Sequence, residues 1–231
     1  MAKWGMTSPV SPDIQSAFNA ERADARTKKT ANSAAARAQT VQMYGRLAAL
    51  QAAVIARGNV AVACERGCSF CCHLRVEIRP HEAFVLAQHI DATFNPDARA
   101  KAIKRIEDNL QRIAPLTAEQ HIRAGIACAL LVDGVCSAYD GRPAACRKYY
   151  SVSVDTCRSA FNDTAAPIVG PLEDEQVRLA GNAVALGFAK GIEEAGLDSA
   201  LYELHFALHQ ALTNPKAEKR YRDQKKAFVG A

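Results

Sequence analysis

The chain has 231 residues and is rich in alanine, with 49% hydrophobic residues and only 6% aromatic ones. This composition excludes a wholly disordered protein, and it favours helices because alanine is the best helix former. The net charge of +5 is concentrated in residues 21–46 and 216–226, each with a surplus of four positive charges. No nucleic-acid recognition motif accompanies these two segments, so we interpret them as solvated surfaces and disfavour nucleic acid as a partner.

The sequence also predicts where the protein is found. Its first nine residues contain no apolar run of the kind that a secretory signal needs. No apolar stretch approaches the roughly 18 residues of a membrane span. We therefore expect a cytoplasmic protein that does not enter the membrane. In a reducing cytoplasm, its eight cysteines favour metal ligands or reactive thiols over structural disulfides.

Apolar residues recur at helical spacing along most of the chain. The pattern predicts helices over residues 14–29, 32–57, 80–94, 97–113, 117–124, 173–191 and 199–213. Residues 74–78 alternate apolar and polar side chains, which predicts a short extended segment. Thr117 and Gln120 form a capping box, and Pro167 with Pro171 indicates a linker.

These patterns predict a mostly α-helical protein, a single domain around a loop-rich, cysteine-ligated metal centre. The expected parts are an N-terminal helical lead-in (1–61), a cysteine-cluster metal-binding core (62–158), C-terminal helices packing on that core (159–213) and a basic tail (214–231).

The first cysteine segment holds four thiols within nine residues. They are Cys64, Cys68, Cys71 and Cys72. Gly67 lets the backbone turn sharply among them. Closely spaced thiols chelate well because the first ligand positions the next, and thiolates suit zinc, iron and iron–sulfur clusters. The adjacent side chains of Cys71 and Cys72 diverge, so one of them can reach a second metal, bridge two metals or remain a free thiol.

The second cysteine segment lies far downstream and is rich in turn signals, such as Asp133-Gly134 and Asp140-Gly141. Its thiols are Cys128, Cys136, Cys146 and Cys157. We expect a compact region with little regular structure beyond single turns. Our hypothesis is that all eight cysteines converge on a zinc or iron centre, which can be an iron–sulfur cluster.

Other polar residues near these segments have more ordinary interpretations. Arg142 can offset thiolate charge or bind an anion, but we favour a role in tying down its loop through backbone carbonyls. Arg147 flanks Cys146 in the same way. We interpret Tyr139 as a core ring and His73 as an exposed loop histidine. His205 and His209 lie four residues apart on a predicted helix, and we interpret both as packing or surface histidines.

Several motifs occur in a recognisable order. They are Cys64 to Cys72, Cys128-Ala129-Leu130, Gly134-Val135-Cys136, Tyr139-Asp140-Gly141-Arg142-Pro143 and Cys146-Arg147. Over about residues 62–158 the chain therefore resembles the YkgJ-type cysteine-cluster family, also called the zinc- or iron-chelating CxxCxxCC domain, which includes flagellin lysine N-methylases. Cys64 and Cys68 are separated by three residues where the family has two, and Cys157 lies beyond the family's core pattern.

Two classes of function follow from this resemblance. In the first, the metal centre is structural or accessory, and the protein binds metal and also a protein partner. In the second, the centre is catalytic, as in a metal-dependent protein-lysine N-methyltransferase. The sequence favours the first class because it contains no motif for a methyl-donor cofactor.

Overall fold

In the computed structural model, residues 10–27, 33–162 and 172–230 are described, and this part of the chain is mostly α-helical. The helices are α1 (Pro12–Thr27), α2 (Ser33–Gly58), α3 (Pro80–Thr93), α4 (Pro96–Ile113), α5 (Ala118–Arg123), α6 (Ala144–Arg147), α7 (Val154–Asn162), α8 (Glu175–Glu194), α9 (Leu204–Thr213) and α10 (Ala217–Arg222). The strands are β1 (Glu77–Ile78), β2 (Leu131–Val132), β3 (Val135–Cys136) and β4 (Tyr202–Glu203), and 3-10 turns span Phe70–His73 and Tyr139–Gly141.

Helix α3 lies at the centre of the core and is packed from several sides. Val85 faces a cluster formed with α1, α2 and α8, whereas Phe84 packs with residues of α9 and α10. Leu86 and Ile90 pack against α4, α9 and the turn around Ala129. The apolar spacing predicts only one buried stripe on this helix, but neighbours on several sides bury most of its surface.

Helices α1 and α8 pack so closely that backbone meets backbone. A Cβ atom on Gly187 would lie 2.5 Å from the carbonyl oxygen of Phe18. Only glycine permits this approach, because any side chain would collide with the neighbouring helix. The Arg22 guanidinium also donates to the Glu194 carboxylate, with Nε 2.9 Å from Oε1. Helix α1 is therefore part of the core.

The segment that we expected to be a basic tail is anchored in the core. Tyr221 is 1% exposed and Phe228 is 2% exposed, and both pack with Phe84 of α3. Apolar residues recur among the basic ones in this segment, so most of its lysines and arginines face outward while the two rings are buried.

Most predicted helices match the observed ones within a few residues, and the Thr117–Gln120 capping box is present. Two features differ. A helix, α7, replaces the expected loop at 154–162, and β4 replaces the first turns of the helix expected from residue 199. β4 pairs antiparallel with β1, with Ile78 opposite Tyr202. The linker expected at Pro167 and Pro171 lies outside the described residues.

The length and polarity of the helices decide whether any of them could span a membrane. Over the described ranges, every helix is too short or too polar to cross a membrane.

Candidate metal centre

The first cysteine segment forms a tight turn followed by a short 3-10 helix. Gly67 has a φ of 102°, a left-handed conformation that glycine adopts without strain. The backbone N–H of Cys68 donates to the carbonyl of Glu65 (3.1 Å), and that of Cys72 donates to Ser69 (2.9 Å). These local bonds gather the four upstream cysteines around one turn, as the sequence predicts.

The second cysteine segment is folded as a hairpin and two single turns. Strands β2 and β3 are joined by Asp133 and Gly134, both with positive φ, as the turn signal predicts. Cys136 lies on β3 and Cys146 lies on α6. The Glu82 carboxylate accepts the backbone N–H of Ala144 (2.7 Å) and thereby fixes the start of α6 against α3.

One hydrogen bond joins the two segments directly. The backbone N–H of Cys128 donates to the carbonyl oxygen of Cys72 over 2.8 Å. The two segments then border a common cavity of about 240 Å³. We call the cysteines that line it the cavity thiols: Cys68, Cys71, Cys72, Cys128, Cys136 and Cys146. Apolar side chains such as Leu86, Leu130 and Leu204 form much of the remaining wall.

Burial in these surroundings favours the neutral form of several of the cavity thiols. It raises the pKa of Cys128 to about 11, and it raises the pKa of Cys136. Burial is also the main cause that raises the pKa of Cys146, with further contributions from Cys128 and Cys71. A hydrogen bond with Cys72 and burial raise the pKa of Cys71. A cation inside the cavity would reverse this preference by stabilising the thiolates.

The donor set fits zinc or iron in its chemistry. Six soft sulfur donors from two distant segments line one largely apolar cavity, and sulfur donors suit both of these metals. Within the described ranges, no group of three or more His, Cys, Asp or Glu side chains is arranged as a formed metal site. The cavity thus brings the thiols into one neighbourhood, and ligation requires their side chains to close further around the ion.

Cys64 and Cys157 lie outside the cavity wall, beside the first turn. The Cys64 sulfur accepts the backbone N–H of Ser151 over 3.1 Å. Burial raises the pKa of Cys64, and the neighbouring thiols Cys68, Cys71 and Cys157 raise it further. The eight predicted ligands therefore divide into six at the cavity and two at its outer edge.

The two arginines of the second segment tie down its turns. Arg142 donates from Nε to the Tyr139 carbonyl (3.0 Å), as the favoured sequence interpretation expects, and its guanidinium stacks 3.5 Å from the Tyr139 ring centroid. Arg66 covers the same ring at 4.8 Å. Tyr139 is thus held between two cations and is not a core ring. Arg147 donates to the Arg142 carbonyl over 2.5 Å.

The histidines have structural partners. His73 packs its ring edge against Phe161, with centroids 4.8 Å apart. His205 is buried, and its Nε2 accepts the backbone N–H of Ala129 over 3.1 Å, next to Cys128. Its other ring nitrogen lies 2.7 Å from Glu203 Oε1. Sequence reasoning did not single out Glu203, because its position at the start of α9 reveals nothing of the cysteine turn that it supports.

Helices packed around a thiol-lined cavity define the class of the protein, a mostly α-helical cysteine-cluster protein. Residues 63–166 match the model of the CxxCxxCC family, described as "Putative zinc- or iron-chelating domain". The similarity to this family covers that segment, which is a little under half of the chain. A search among curated proteins found no match, and neither did a search among solved structures. The family description names chelation of zinc or iron and no enzymatic activity, so the flagellin-methylase part of the resemblance is without support.

Proposed function

We propose that the protein holds a zinc or iron centre in its cavity, and that this centre is mainly structural or accessory. The observation that carries the proposal is the convergence of six thiols, from two segments far apart in the chain, on one apolar cavity. Cys71, Cys72, Cys128, Cys136 and Cys146 are the residues that we expect to supply the ligands, with Cys68 at the edge.

The cavity thiols outnumber the four positions of a tetrahedral zinc ion. A site that can be filled entirely by protein ligands is typical of structural zinc and leaves no position for a substrate. When bound, the cation would supply the positive charge that lets the buried thiols ionise. It would thereby fasten the cysteine turn to the hairpin and α6.

The positive charge of Arg142 also favours a metal centre at these thiols. Its positive charge acts on Cys71, Cys136 and Cys146 and lowers the pKa that burial has raised in each of them. The guanidinium is held in place by Tyr139 and its carbonyl. A fixed cation beside the thiols offsets part of the negative charge of a thiolate cluster, which favours binding of the metal.

We propose that the protein is located in the cytoplasm, because thiols stay reduced there and remain available to bind metal. An accessory role implies a protein partner.

The decisive experiment is anaerobic purification of the full chain, followed by elemental analysis and an absorption spectrum. We expect zinc or iron close to stoichiometric with protein. A colourless zinc protein supports the structural role, whereas visible absorption indicates iron bound to sulfur. A folded, monodisperse preparation without zinc or iron would overturn the proposal.

Cys146→Ser provides the matched test of the site. We expect this variant to lose most of its metal and to melt about 10 °C lower, because loss of a buried ligand removes metal-linked stability. Ala145→Ser adds a hydroxyl one residue earlier on α6 and removes no thiol, so it should retain its metal. Equal metal content in both variants would exclude Cys146 as a ligand.

A further inference from the structure

The chain after α9 turns back on itself and carries positive charge to the surface. The backbone N–H of Lys225 donates to the Arg220 carbonyl over 3.0 Å, and Arg220 Nε donates to the Lys226 carbonyl over 2.9 Å. These two bonds close a compact turn behind α10. We name the basic residues that it leaves exposed the α10 basic surface: Lys216, Lys219, Arg222, Lys225 and Lys226.

The neighbouring carboxylates leave most of this charge uncompensated. Glu218 pairs with Arg37 of α2, which does not belong to the surface. Asp198 accepts the backbone N–H of Ala227 over 2.8 Å and thereby holds the end of the turn in place. The remaining acidic residue of this segment is Asp223, which is exposed. The α10 basic surface therefore presents a surplus of positive charge to the solvent.

Two aliphatic side chains are exposed beside this charge. Leu201 is 51% exposed and Val229 is 46% exposed. The residues next to them, Tyr202 and Phe228, pack their rings edge to face with centroids 5.1 Å apart. Leu201 and Val229 therefore lie in one region of the surface, close to Lys226. Apolar side chains with a charged rim are typical of a surface that binds another protein.

We propose that the α10 basic surface, together with Leu201 and Val229, binds an acidic segment of a protein partner that also carries apolar side chains. The basic residues pair with glutamate or aspartate carboxylates of the partner, and the two aliphatic residues lose their contact with water. This inference goes beyond the proposed metal centre and does not depend on it, because no cysteine belongs to the surface.

The composition of the surface favours a protein segment over the phosphates of a nucleic acid or a lipid. Tyr221 and Phe228 belong to the same segment, but both rings are buried and offer no face on which a base could stack. Asp223 repels a phosphate, whereas it can pair with a lysine or an arginine of a protein partner. A partner with mixed but mainly acidic side chains therefore fits best.

The test is a titration of the full chain, as purified, against a fluorescent peptide built from glutamate and leucine. We expect Lys225→Gln/Lys226→Gln to weaken binding by roughly tenfold, because two exposed ion pairs are lost. Lys101→Gln/Lys104→Gln removes the same charge from exposed positions of α4 and should bind like the wild-type chain. Equal affinities of the two double variants, or a wild-type chain that does not bind the peptide, would overturn the proposal.

The aliphatic part of the surface is tested in the same assay. Leu201→Ser should weaken binding by roughly threefold, because less apolar area is removed from water. Leu186→Ser changes an exposed leucine of α8 and should leave the affinity unchanged. Wild-type affinity in Leu201→Ser would remove this residue from the proposed surface.

Vesicles that contain phosphatidylserine, and a double-stranded DNA, are the competing probes. We expect both to bind more weakly than the peptide at physiological salt. Tighter binding of either probe, lost in Lys225→Gln/Lys226→Gln, would overturn the choice of a protein partner. Zinc and iron are measured on the same preparations. Peptide binding by a folded chain without either metal would support this inference while overturning the proposed function.

Discussion

Nδ1 of His205 lies 2.7 Å from Oε1 of Glu203, and this pair supports the turn that carries Cys128. Because Nε2 accepts the backbone N–H of Ala129, the proton lies on Nδ1 and is donated to the carboxylate. Burial alone would raise the pKa of Glu203, yet the hydrogen bond that His205 donates holds that pKa below its usual range. Asn109 completes the support by donating to the Ala127 carbonyl over 2.8 Å.

The first prediction concerns this support. His205→Ala should lower the free energy of unfolding by roughly 2–3 kcal/mol, because it leaves the Ala129 N–H without its partner and removes one of the hydrogen bonds to the Glu203 carboxylate. The affinity for metal should fall as well, because the turn that carries Cys128 loses one of its supports. His209→Ala, one helical turn further on, is the control, because His209 is only partly buried. Chemical unfolding with and without zinc measures both effects, and equal results for the two variants would contradict the prediction.

The second prediction concerns the charge beside the cavity thiols. Arg142→Met should weaken zinc binding by roughly tenfold, because the thiolates lose a fixed cation that offsets their charge. Arg142→Lys keeps the charge and should recover part of the affinity. Arg158→Met removes an exposed arginine on α7 and should leave the cavity affinity unchanged. Competition with a chromogenic chelator measures the affinities, and wild-type affinity in Arg142→Met would refute a role for this charge.

The third prediction concerns acid stability. His81 is 3% exposed, and burial, with the charge of Arg79, lowers its pKa to about 3 from an ordinary 6.5. The unfolded chain therefore binds a proton that the folded chain rejects, and stability should fall as the pH drops from about 6.5 towards 3. The expected slope is about 1.4 kcal/mol per pH unit from this residue.

His81→Leu should flatten that part of the stability profile, whereas His209→Gln should leave the slope unchanged. Denaturant unfolding of the metal-free chain at several pH values between 4 and 7 measures the slopes. Working without metal separates the histidine from acid-driven release of ligated thiols, which would add a pH dependence of its own. A wild-type slope in His81→Leu would disprove the assignment.

The fourth prediction compares two helical glycines. Gly187→Ala should destabilise the protein by roughly 1–3 kcal/mol, because the new methyl group meets the Phe18 backbone across the α1–α8 contact. Gly45 of α2 has open space where its Cβ would lie, so Gly45→Ala should stabilise the protein by up to about 1 kcal/mol. Thermal unfolding of both variants measures these changes in stability. A gain in stability for Gly187→Ala would contradict the prediction.

The sequence predicts the helices well because their signals are local. Apolar spacing places α2 and α4, and the side chains of Thr117 and Gln120 start α5. The sharp turn at Gly67 is likewise expected from glycine alone. The sequence does not predict α7, since its contacts are with Phe70 and His73, far earlier in the chain.

The same limit applies to the site. Local spacing identifies both cysteine segments but does not reveal which thiols share a neighbourhood, because that depends on how the segments meet. The Cys128–Cys72 backbone bond and the position of Ser151 beside Cys64 arise only in the folded chain. The β1–β4 pairing has no sequence signature, since its two strands lie more than a hundred residues apart. Glu203 supports the Cys128 turn only through His205, whose partner Ala129 is 76 residues away.

Leu204 is part of the cavity wall, and in the sequence it follows every one of the cysteines. During synthesis, the cysteines emerge from the ribosome long before this residue does. A growing chain thus presents its thiols to cellular oxidants while the wall that will shelter them is still being made. If the proposed centre forms there, the zinc or iron would bind late in biogenesis. A chain whose synthesis stopped before Leu204 would leave its thiols exposed to oxidation.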